Sequence, residues 1–347
     1  MRATTVLSAC TAIGLLACAP GDSPTEPGSV GRLAAAPESA ALSNTWSKRG
    51  PHEFGTLDGV SVGVMSNPAG QSVVYGVGGF DYVNGGLGEG TGFPIAAYNV
   101  ATNVWQRVSP RVFVFKANGV GAIGGKLYFS GGYNGIDGGV AQQSRQVWAF
   151  DPASQQLVQR ADMPRATAEG VTGVIDGKLY VLPGTCDANR WPQAGYCETE
   201  EIRQLYRYNP LTNMWVVRKA APHFHRSGAA GVIGGKFYVV GGFNVSQPVA
   251  ALDVYDPLTN SWTTRAPLPT SGAAIGTALE GRLYVIAGGQ AYVYTPATNK
   301  WTAIAAPASA HEGVVRVVIN GRPRLFAVGG QHGTFLDEPN RSEVYVP

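Results

Sequence analysis

The stretch DVYDPLTNSW at residues 253–262 constrains this chain more than any other feature, because it recurs. YNPLTNMW (208–215), YTPATNKW (294–301) and YNVATNVW (98–105) repeat it, and FDPASQQL (150–157) is a weaker copy. Each copy has Tyr or Phe, six intervening residues, then Trp or its substitute Leu157. Apolar runs ending in two small residues alternate with these units: VVYGVGG (73–79), GKLYFSGG (125–132), GKLYVLPG (177–184), GKFYVVGG (235–242), GRLYVIAGG (281–289) and RLFAVGG (324–330). From Trp105, Leu157, Trp215 and Trp262 to the next doublet is 26 residues each time, and from Trp301 it is 28. Spacing this regular marks a structural repeat.

Each unit reads as four short strands. The segment before Gly-Gly-Lys is the first, the Lys-Leu-Tyr-Phe type run the second, the Asp-Val-Tyr type run the third and the Trp segment the fourth. Pro presets φ in the Asp-Pro-Leu-Thr-Asn linker, and Asn tolerates the left-handed conformation that reverses the chain. The 47 glycines carry no Gly-X-Y period, which excludes collagen and fits many tight turns. An apolar content of 44% with 14% charged residues is enough for a packed core. Four strands per repeat of roughly 50 residues point to propeller blades.

The apolar run, the Gly-Gly doublet, the Tyr and the later Trp together resemble kelch repeats, over residues 42–347. The departures are Pro183-Gly184 as a doublet and Leu157 for Trp. The chain stops at VYVP (344–347), the Pro position of the hairpin, and LSNTW (42–46) supplies the missing half. The expected fold is therefore all-β: a six-bladed β-propeller of four-stranded antiparallel blades, the last closed by the N-terminal strand.

Residues 1–17 read as a signal peptide, with Met1-Arg2 as the basic start and VLSACTAIGLLA (6–17) as an apolar run too short to span a bilayer. Leu15-Leu16-Ala17-Cys18 resembles a bacterial lipobox, so lipidation at Cys18 is expected; an ordinary cleaved secretory signal is the alternative. Residues 18–41 are Pro/Gly/Ser/Ala-rich and read as a flexible linker. The implied location is extracytoplasmic, as a lipoprotein of the bacterial envelope facing periplasm or cell surface.

Strand direction alternates within a blade, so the loops after the doublets share one face with the links between blades. Four of these loops are long: 80–96, 133–146, 185–204 and 331–342. Binding residues concentrate on loops held by a rigid scaffold. Cys186 and Cys197 lie in the third loop and are expected to form a disulfide, with a metal pair as the competing reading. Trp191 and Tyr196 in that loop are candidate sugar-stacking platforms, or else a small satellite core. The links contribute Arg111, Arg165, Arg226, His225 and His311 as ligand-binding candidates, with ion pairing among themselves as the alternative. Arginines there suit a carboxylate. His223 and His225 form half a metal site at most, and no metal or cofactor is expected.

Net charge is +3 without a basic stripe, so no nucleic-acid partner is expected. Gly59-Val-Ser61-Val-Gly63 has nucleophile-elbow spacing but no following helix. Two functions fit. The first is an envelope-anchored, monomeric kelch module that presents one loop face to a glycan, peptide or protein. The second is a carbohydrate-active enzyme on the same scaffold, resembling the six-bladed kelch sialic acid mutarotases, an epimerase-like isomerase with Glu169 and Glu312 as candidate proton carriers. A galactose-oxidase-like chemistry fits less well, because the cysteines are spent on each other.

Overall fold

The computed structural model describes residues 44–49, 59–79, 93–112, 114–137, 140–185, 200–244, 247–330 and 342–347. It contains six four-stranded antiparallel sheets, one for each repeat. Blade 1 comprises Ser61–Ser66, Ser72–Val77, Phe93–Asn99 and Val104–Val112. Blade 2 comprises Val120–Ile123, Lys126–Ser130, Val147–Asp151 and Gln156–Arg160. Blade 3 comprises Val171–Ile175, Lys178–Leu182, Tyr206–Asn209 and Met214–Val217. Ala229–Ile233, Lys236–Val240, Leu252–Asp256 and Ser261–Arg265 form blade 4. Blade 5 is Ala274–Leu279, Arg282–Ala287, Gln290–Thr295 and Lys300–Ile304.

Blade 6 joins the two ends of the sequence. Gly313–Ile319, Arg322–Val328 and Ser342–Val346 take Thr45–Arg49 as their outer strand, with Thr45 opposite Val346 and Arg49 opposite Ser342. The core lies between neighbouring sheets. Val60, Val74 and Tyr98 of the first repeat pack on Val315, Phe326 and Val344 of the sixth, which seals the ring.

The recurring Tyr, Asn and Trp have distinct tasks. Asn44, Asn103, Asn213, Asn260 and Asn299 all have φ between 51 and 62°, the left-handed turn expected of them. Gln155 fills this place in blade 2, with φ 56°. Each Tyr is buried against its Trp, with ring centroids 5.1 Å apart for Tyr255 and Trp262. The Asn and Trp then grip one residue of the preceding blade. Asn213 Oδ1 accepts from the Ala161 amide at 2.9 Å while Trp215 Nε1 donates to the Ala161 carbonyl at 2.9 Å. Lys219 is held in the same way by Asn260 and Trp262, and Ala266 by Asn299 and Trp301. Asn44 and Trp46 hold Ala305, both at 2.7 Å, so the closing strand uses the same clamp. Leu157 has no donor with which to copy it.

The doublets are small because another chain segment crosses them. A Cβ on Gly131 would sit 2.2 Å from the Thr167 carbonyl oxygen. The Pro183-Gly184 departure keeps the second glycine, where a Cβ would fall 2.1 Å from the Glu169 carbonyl oxygen.

Candidate functional site

A cavity of about 790 Å³ opens on the propeller axis, lined by the starts of the six innermost strands and by the links that lead into them. These links are tied to one another through backbone. The Lys116 amide donates to the Gly59 carbonyl, that of Glu169 to Lys116, that of Ser227 to Glu169, and that of Ala274 to Ser227, at 2.8 to 3.0 Å. Gly59, Lys116, Glu169 and Ser227 all have positive φ, between 48 and 68°. For Lys116, Glu169 and Ser227 this is a strained conformation, held by the ring itself, and such residues gather at functional sites. The belt runs from blade 1 to blade 5. At blade 6 the Glu312 amide turns instead to Val328 of its own blade.

Glu169 is the most connected side chain on the belt. Its Oε1 accepts from the Tyr133 hydroxyl at 3.2 Å, and its Oε2 accepts from Ser227 Oγ at 3.0 Å and from Arg226 at 3.2 Å. Burial, then the charge of Glu169, push the Tyr133 hydroxyl well above its ordinary pKa. Arg226 also lies over the Phe243 ring, 5.4 Å from its centroid. Lys116, whose ammonium lies over the neighbouring Phe115 ring, makes no ion pair among the described residues. Asn118 is fully buried and staples blade 2 to blade 3: its Nδ2 donates to the Ser130 carbonyl and its Oδ1 accepts from the Gly170 amide.

The sequence-derived candidates divide. Arg226, Glu169 and Glu312 reach this region, and Glu169 and Glu312 line the cavity. Arg226 and Glu169 take the ion-paired alternative. His225 does not face the cavity: its side chain is fully buried, Nδ1 against the Gly241 carbonyl and Nε2 against Asp253. His311 repeats this arrangement with Gly329 and Glu343, its ring buried and only its backbone exposed. Both rings therefore act inside the blades. His223 also binds Asp253, and no group of three metal ligands occurs among the described residues.

Arg111 is not in a link. It lies in the outer strand Val104–Val112, opposite Pro94, because that strand runs on past an irregularity between Pro94 and Ala96. Its side chain lies outside the described residues, as do Cys18, Cys186, Trp191, Tyr196 and Cys197. Arg165 is half-buried in the link before blade 3 and does not line the cavity. Among the loops after the doublets, that of blade 2 carries a ribbon, Tyr133–Asp137 with Val140–Gln143. Blade 5 has almost no loop, so Gly288 and Gly289 form a low wall of the cavity. Sequence reasoning missed Lys116, Ser227 and Asn118, since no residue type repeats at these positions.

A Kelch motif model matches residues 116–164 and 226–269, which carry blades 2 and 4. The chain is 23% identical over 274 residues to Kelch-like protein terF of Aspergillus terreus, covering 72% of this chain and 59% of that protein. It is 30% identical over 158 residues to Kelch repeat and BTB domain-containing protein 12 of Homo sapiens, covering 42% and 25%. With Kelch-like protein 25 of Rattus norvegicus it shares 34% over 224 residues, covering 61% and 36%. The chain thus spans less than two thirds of the length of these curated relatives. A solved structure of YjhT matches the fold with a TM-score of 0.63 at 16% identity, covering 84% of this chain and 94% of that one. Repeat, relatives and solved fold agree on one architecture: the chain is a six-bladed β-propeller, and its blades 2 and 4 carry kelch motifs.

Proposed function

We propose that this protein is an envelope-anchored binding module, secreted through residues 1–17, lipidated at Cys18 and tethered by residues up to 41. Its ligand, a glycan, peptide or protein segment, sits over the cavity on the long-loop face. The observation that carries this reading is the belt, which holds Lys116, Glu169 and Ser227 in fixed, strained positions around a cavity of about 790 Å³. A rigid scaffold with polar groups converging on a concave site is where small ligands and chain ends bind. Lys116 supplies an ammonium that makes no ion pair among the described residues and lies over the Phe115 ring, suited to a carboxylate or another anionic group. The low wall at blade 5 leaves the approach open on one side.

A second reading is a sugar mutarotase- or epimerase-like isomerase on the same site, favoured by two acidic residues, Glu169 and Glu312, among those that line one cavity. Proton transfer at a sugar carbon or ring oxygen needs such a carrier. A glycan array together with a sugar-acid thermal-shift screen separates the two. Lys116→Gln should weaken retention of an anionic hit about tenfold, ~1.4 kcal/mol, with melting unchanged. Under the second reading Glu312→Gln abolishes turnover while the ligand still binds. A ligand found only on the hairpin face would overturn both.

A further inference from the structure

The face opposite the long loops carries the hairpins between third and fourth strands, and two of them differ from the rest. Leu211 in blade 3 and Leu258 in blade 4 are 96% and 92% exposed. Alanine occupies the same place in blades 1, 2 and 5, at Ala101, Ala153 and Ala297, so the turn itself does not require leucine. Neither tip is loose. The Leu211 amide donates to Asn209 Oδ1 at 3.1 Å and the Leu258 amide to Asp256 Oδ1 at 3.0 Å, which fixes each leucine at the apex.

Each leucine also has a cation beside it. Arg160 donates to the Pro210 carbonyl at 3.1 Å and the Tyr208 hydroxyl at 3.2 Å. Arg218 donates to the Pro257 carbonyl at 3.3 Å and the Tyr255 hydroxyl at 2.9 Å. These partners are neutral, so among the described residues neither guanidinium is neutralised by a carboxylate. The nearby Asp256 is already spent on Lys236, at 2.7 Å. Exposed Met214 and Val216 share one face of the outer strand of blade 3 and add apolar surface after the Leu211 tip. Single exposed apolar residues are ordinary, but paired apices with adjoining uncompensated arginines match the needs of an anionic lipid interface.

The path of the chain points the same way. Asn44 occupies in blade 6 the place that Asn213 and Asn260 occupy in blades 3 and 4, accepting from Tyr345 and from the Ala305 amide. Asn44, where the described part of this outer strand begins, therefore lies on the hairpin face.

We propose that the hairpin tips of blades 3 and 4 seat on an anionic membrane surface, Leu211 and Leu258 entering the interface while Arg160 and Arg218 meet lipid phosphates. The proposal rests on the envelope reading of residues 1–41, and it turns the long-loop face away from the membrane. The test uses the full chain, added to vesicles of phosphatidylcholine alone or mixed equally with phosphatidylglycerol. A fluorescent amino acid is placed at Thr212, with Gln290 as the control position, and quenching by spin-labelled lipid is read. We expect quenching at 212 in the anionic vesicles, none at 290, and loss of the signal in Leu211→Ala/Leu258→Ala, whose melting should be unchanged. A protein that floats with vesicles but shows no quenching at 212 keeps the anchor and overturns the docking face. Quenching in a chain whose Cys18 carries no lipid keeps the docking face without the anchor. Failure of both flotation and quenching overturns both, and self-association without lipid that the double variant abolishes would assign the tips to a second copy instead.

Discussion

His225 and Asp253 meet inside blade 4 with Nε2 3.2 Å from Oδ2, and both side chains are fully buried. The other ring nitrogen faces the Gly241 carbonyl at 2.9 Å, so both nitrogens meet oxygen acceptors. Asp253 also accepts from His223 and from Thr264, at 3.0 and 2.7 Å. Burial works to raise its pKa, but the hydrogen bond and charge of His225, then Thr264 and His223, more than offset this and hold it below the usual carboxylate range. This network joins the link before blade 4 to that blade's third and fourth strands.

A carboxyl depressed in the folded state contributes stability above its unfolded pKa of about 3.9, and that contribution is lost as pH falls through the folded value. Melting temperature should therefore fall as acid is added below that range. In Asp253→Asn this acid-dependent part should be reduced, and the whole curve lowered by about 3 kcal/mol, since the buried ring loses its charged partner. Unfolding by urea across a pH series checks both; identical pH profiles for the two proteins would refute the account.

The Asn-Trp clamp can be taken apart at blade 4. Asn260→Ala loses the bonds to the Lys219 amide and the Tyr255 hydroxyl and puts alanine in a left-handed turn, so it should cost about 2 kcal/mol. Asn260→Gly loses the same bonds without the strain and should cost less. Trp262→Phe keeps an aromatic on Tyr255 and loses the Lys219 carbonyl bond, for about 1 kcal/mol. Denaturant midpoints of the three variants give the order directly.

Ring closure depends on Thr45–Arg49, paired through five residues with Ser342–Val346. A chain beginning at residue 50 should expose the edge of Ser342–Val346, leave Ala305 unclamped, and aggregate or melt well below the parent. Size-exclusion chromatography and thermal melting decide it, and a monomer with unchanged melting would exclude the closing role.

The proposed processing is testable by mass. The mature protein should begin at Cys18 bearing diacylglycerol, and Cys18→Ser should release a form without lipid. Non-reducing peptide mapping should recover Cys186 joined to Cys197, as an extracytoplasmic compartment favours. A mature terminus downstream of Cys18, or two free thiols, would count against the respective assignment.

The sequence by itself determined the blades. Tyr, Asn and Trp do the same local work in blades 3 to 6, a turn, a stack and a clamp, so selection of one geometry leaves one recurring pattern. Even the split blade was legible, because Tyr345 and Pro347 with Asn44 and Trp46 complete a motif that other blades carry whole. The site was legible only in part. Glu169, Arg226 and Glu312 could be placed in links near the axis by strand alternation. Their pairing could not be read, nor could the burial of His225 and His311, because a ring's exposure depends on which acid of its blade lies beneath it. The belt through Gly59, Lys116, Glu169 and Ser227 left no pattern at all. What those positions share is a backbone conformation and a hydrogen bond to a neighbouring blade, and a bond between blades forms only once the blades have packed together.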